Sequence, residues 1–74
     1  MTPEEQAAAI IADPAWSFTD NPTLAIAHAS TRAATAQREG NTTRARYWTS
    51  VGLALCEAAG VEPGQVLVNL RDGQ

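Results

Sequence analysis

The sequence predicts an all-α domain: three main helices built on an antiparallel helical hairpin, plus a short C-terminal helix for which a strand is the alternative. Three observations carry this. Helix-start signals recur, with proline standing just after a capping residue in "TPEE" and again in "NPTL". Apolar residues between Pro22 and Ala59 follow helical rather than alternating spacing. The pair Gly40–Asn41 divides that stretch in two, and a link of about three residues makes the two helices antiparallel neighbours.

The first helix opens in "TPEEQAAAIIADP". Thr2 fits the N-cap, Pro3 the first helical position, and Glu5 completes a capping box. Glu4 and Glu5 suit the positive end of the helix dipole. Pro14 disfavours helical geometry at Asp13, so the helix should end near Ala12.

"DPAWSFTDNP" follows, bounded by prolines and rich in turn formers. Its Trp16 and Phe18 are two of the four aromatic residues of the chain. In so small a domain they are expected to fold back as a lid over the core. The competing reading makes them an exposed anchor for a partner, since aromatics are enriched among interface hot spots.

The second helix starts with Asn21 as N-cap and Pro22 at the first position, and Gly40 stands where a terminating glycine belongs. Ile26, Ala29, Ala33 and Ala36 share one face, with Leu24, Ala27 and Ala34 beside them. Such a face of small side chains admits close approach by another helix. The third helix is capped by Asn41 or Thr42 and ended by Gly60, and its stripe is Trp48, Val51, Gly52, Leu55 and Ala59. Trp48 is expected to be a core residue set against the alanine face. At the end of the chain, Val66, Leu67 and Leu70 fit a helix starting at Pro63, whereas Val66, Val68 and Leu70 fit a strand needing a mate from another copy. The helix is the favoured form.

Seventy-four residues make a single domain, 1–74, close to the lower limit for a self-sufficient core. Much of the 45% hydrophobic content is alanine, which buries little area, so a partner or a second copy has room to add burial. A net charge of −3 argues against a general nucleic-acid binder, which usually carries a basic footprint.

All five cations are arginines, and three of them stand in "REGNTTRARYW". Positive charge at the start of a helix opposes its dipole, so helix stability does not explain Arg44 and Arg46. Arg38, Arg44, Arg46 and Tyr47, together with Trp16 and Phe18, are the candidate partner-binding residues. The competing reading is a solvated hairpin tip.

Catalytic signals are missing. His28 is the only histidine, Cys56 the only cysteine, and neither stands in a catalytic or zinc-binding spacing. The "CEAAG" setting marks Cys56 as a small buried hydrophobe. The carboxylates are scattered, and there is no glycine-rich phosphate loop. No enzyme activity, cofactor or metal is expected. Nor is there a signal-peptide pattern or an apolar run approaching ~18 residues, so a cytoplasmic protein with no membrane partner is expected.

"CEAAGVEPGQVLVNL" resembles the helix-turn-helix of many bacterial repressors, in which an A-A-G-V-x-P-x-x-V pattern joins two helices. Ala58, Ala59, Gly60, Val61, Pro63 and Val66 occupy its positions. The resemblance implies a DNA-binding transcriptional regulator with Gln65 and Asn69 as base readers. The chain departs from the pattern where that helix should present polar side chains to base edges, because Leu67 and Val68 fill its middle. Arg71 is the one cation beyond residue 46 and has Glu57, Glu62 and Asp72 around it. The first expectation is therefore a small non-catalytic adaptor, regulator or inhibitor, of the kind found among accessory bacterial or phage proteins. It would bind another protein through that partner's acidic surface, and it could also form a homodimer. DNA binding is the alternative.

Overall fold

The structure, a computed structural model, describes residues 1–62. Helix α1 spans Pro3–Ala12. Its capping box closes as the sequence predicts. Thr2 Oγ1 accepts the Glu5 amide at 3.1 Å, and Glu5 Oε1 accepts the Thr2 amide at 2.8 Å. Asp13 is extended, as the following proline requires, and its Oδ1 accepts the Ala15 amide at 2.9 Å to start a 3-10 turn over Pro14–Trp16.

Ser17 then takes a left-handed conformation, φ 48°. Its carbonyl accepts the amides of Asp20 and Asn21 at 3.0 and 2.9 Å, which offsets part of the roughly 1 kcal/mol an L-residue loses there. The turn drives Phe18 inward, to 7% exposure, and leaves Trp16 half-buried on the flank. Phe18 is thus a core residue, not an exposed ring. The lid reading describes it.

Helix α2 spans Pro22–Arg38 and helix α3 spans Thr42–Ala59. Asn21 occupies the N-cap position of α2, but its side chain makes no capping bond. Its ψ of 76° falls far short of the 160° found at Thr2. The link is a Schellman motif: the Gly40 amide donates to the Gln37 carbonyl at 3.1 Å and the Asn41 amide to the Ala36 carbonyl at 2.8 Å. Gly40 sits at φ 77°, a conformation that glycine adopts without a Cβ penalty. Asn41 Oδ1 accepts the Arg44 amide at 3.1 Å and so caps α3. Gly60 ends α3 at φ 72°, and the Val61 amide closes onto the Cys56 carbonyl at 2.9 Å.

Helix α3 is the hub of an all-α domain. α2 packs along it as the antiparallel arm of the hairpin, and α1 packs mainly against α3 as well. The core joins Ala7 and Ile10 of α1 and Phe18 of the connecting turn with Ala25, Ile26 and Ala29 of α2 and Val51, Leu55 and Cys56 of α3. Val51, Leu55 and Cys56 are sealed from solvent. They cluster with Ala25 and Ala29, both fully buried, a large-into-small fit made by Val51 and Leu55 and not, as the spacing predicts, by Trp48.

Trp48 departs from expectation, since it is half-buried and packs at the edge of that core. Helices spaced by alanines approach too closely to house an indole between them, so the ring lies along their flank. Leu24, placed beside the buried face by its spacing, is 54% exposed. Among the described residues there is no strand, and no helix is long and apolar enough to cross a membrane. The C-terminal helix or strand, Arg71 and the second half of the repressor-like corner lie outside the described residues.

Candidate functional site

Three elements converge on one flank of the hairpin. The 3-10 turn supplies Trp16, α2 supplies His28 and Arg32 one turn apart, and α3 supplies Tyr47 and Trp48. Their rings form a row. Trp16 lies 4.8 Å from His28, His28 lies 5.7 Å edge-on from Trp48, and Trp48 lies 5.5 Å edge-on from Tyr47. These separations suit tilted and edge-to-face ring packing. All four side chains are half-buried, with one part against the core and another in solvent. The Tyr47 hydroxyl donates to Gln6 Oε1 at 3.3 Å and ties the end of the row to α1.

Arg32 overlies this row. Its Cζ sits 5.3 Å from the centre of the Trp48 ring, within cation–π range, and its Nε donates to His28 Nε2 at 3.1 Å. Burial, and then the nearby Arg32 charge, lower the His28 pKa from its ordinary value. The imidazole is therefore neutral at pH 7, with Nε2 as acceptor and the proton on Nδ1. Beside the row runs an open groove lined by His28, Thr31, Arg32, Thr35, Glu39 and Arg44. A neighbouring hollow with Tyr47 and Trp48 shares Arg44.

The arginines that look like one cluster in the sequence do not form one patch. Arg44 and Arg46 are two residues apart on a helix, about 200° around its axis. Arg44 joins the groove beside the aromatic row, whereas Arg46 lines a separate one with Gln37, Thr42, Ala45, Thr49 and Ser50. Arg38 Nη2 lies 3.4 Å from Thr35 Oγ1, within its own helix. The structure thus brings together Trp16, Tyr47 and Arg44 of the candidate residues, and adds His28 and Arg32. The His28–Arg32 spacing of four was the available signal, because such a pair must share a helix face.

Elsewhere the chemistry is quiet. Cys56 is fully buried, and burial pushes its thiol pKa up, so it stays protonated. No group of residues that could hold a metal ion occurs among the described residues. Compared with known protein families, curated proteins and solved structures, the chain matches none.

Proposed function

We propose that the chain is a small non-catalytic partner-binding protein, an adaptor, regulator or inhibitor, that presents its aromatic flank to an acidic protein surface. One observation carries this reading: half-exposed rings stand in a row under a guanidinium that pairs with no carboxylate among the described residues. Tryptophan, tyrosine and arginine are the residues that dominate protein interfaces when they cluster. Every arginine of the described residues also falls between Arg32 and Arg46, with Glu39 the one carboxylate in that stretch. Among the described residues, the positive charge of a chain of net charge −3 therefore lies toward the closed end of the hairpin, where it would steer an acidic partner.

The test is a photo-crosslinking amino acid at Thr31, beside the row, in cells that make the protein. The double variant Arg32→Gln/Arg44→Gln should keep its helicity and lose the crosslinked protein, while Arg46→Gln on the other flank should retain it. Equal capture by all three forms would overturn the reading, as would a salt-sensitive shift of duplex DNA lost only in the double variant.

A further inference from the structure

Arg32 is held at two points before any ligand arrives. The bond from Nε to His28 fixes the plane of its guanidinium, and the Trp48 ring supports its face. Its two Nη groups have no hydrogen-bond partner among the described residues. A guanidinium whose Nε is engaged still offers the end-on fork of Nη1 and Nη2, which matches the two oxygens of a carboxylate. Because the side chain is already ordered, a ligand meets little of the entropy loss that usually opposes an arginine contact. Arg44 lines the same groove from α3, and among the described residues only its backbone amide is engaged, by the Asn41 cap.

The groove also discriminates between anions. Glu39 lines it, so a continuous string of phosphates would meet like charge at one end, whereas a single carboxylate would not. Thr31 and Thr35 supply hydroxyls beside the arginines, which suit the amide and carbonyl groups of a peptide backbone. Resting on the partner-binding reading, we infer that this groove takes one isolated aspartate or glutamate side chain of the partner, with Arg32 as the fixed arm and Arg44 as the adjustable one.

The probe is a blocked tripeptide with a central glutamate, titrated into the isotope-labelled chain while the Arg32 Nε–H and Trp48 Nε1–H signals are followed. A saturable shift of both signals, with a dissociation constant on the order of millimolar, is expected for one charge-assisted fork. The glutamine analogue should leave them in place. Arg32→Lys keeps the charge without the fork and should abolish saturation, while Arg46→Gln should change nothing. Equal shifts with glutamate and glutamine would overturn the inference, and so would a single-stranded DNA decamer that moves the same signals at lower concentration. If the tripeptide fails while the double arginine variant still loses its crosslinked protein, the carboxylate site falls and the partner-binding face stands. If the tripeptide binds while crosslinking ignores the double variant, the partner-binding reading falls, and the carboxylate site with it as a partner contact.

Discussion

The α2–α3 pair has two unlike sides. Along the seam, Ala25 and Ala29 cluster with Val51 and Leu55, all of them sealed from solvent. Along the flank, the same two helices carry His28, Arg32, Tyr47 and Trp48, none of them fully buried. The first arrangement produces the second. Helices drawn close by alanine leave no gap for an indole, so the largest side chains are displaced to the edge and become a half-wet surface. In this molecule a half-exposed aromatic face is a by-product of tight packing.

The widest gap between the two sides should show in stability. Leu55→Ala opens a cavity in the sealed seam and should cost about 2–5 kcal/mol in urea unfolding, enough to endanger so small a domain. The same variant should expose Cys56 to thiol reagents that do not reach it in the parent. Trp48→Ala removes a larger side chain but one that is half in water, so it should cost less, about 1.5–3 kcal/mol. It should also lose the crosslinked partner. A loss larger than that of Leu55→Ala would mean that the indole is structural core and would erase the contrast.

Ser30 sharpens the comparison from the seam side. Ser30 is only 3% exposed, and its hydroxyl has no hydrogen-bond partner among the described residues. Ser30→Ala removes an unsatisfied buried group and improves helix propensity, so it should raise stability by about 1 kcal/mol. An unchanged or lowered urea midpoint would show that the hydroxyl finds a partner in solution.

The smallest effect belongs to the flank and depends on pH. His28 has a folded pKa below its unfolded value of about 6.5, so the unfolded chain takes up the proton first. Its contribution to stability is complete above pH ~6.5 and is lost as pH falls through the lower, folded value. Protonation also removes the acceptor that holds Arg32 in place. The melting temperature should therefore drop over that window, and the drop should shrink in His28→Gln.

Features written in local chemistry were legible in the sequence. Thr2 with Glu5, Pro14 after Asp13, and the glycines at 40 and 60 mark helix ends because each signal and its effect lie within a few residues. The alanine face was legible in part through its spacing: Ile26, Ala29, Ala33, Ala34 and Ala36 are buried as expected, whereas Ala25 was not among them and Ala27, placed beside them, is exposed. The flank was not. Trp16 meets His28 next to a left-handed Ser17, and a serine gives no notice of a conformation that glycine would advertise. Arg32 meets Trp48 across sixteen positions of sequence, a register that only the packed hairpin sets. The split between Arg44 and Arg46 was implicit in helical phase, but their closeness in the linear sequence masked it.

The position of α3 as hub also has a consequence for how the protein is made. α1 and α2 are translated before the helix on which both depend, and neither offers the other an extensive surface in its place. While the ribosome is still adding α3, the two earlier helices are short amphipathic segments that are marginal in water on their own. Cooperative folding must wait until Leu55 and Cys56 have cleared the exit tunnel. From then on the hairpin, whose ends are joined by three residues, should close first, and α1 should dock onto it afterwards.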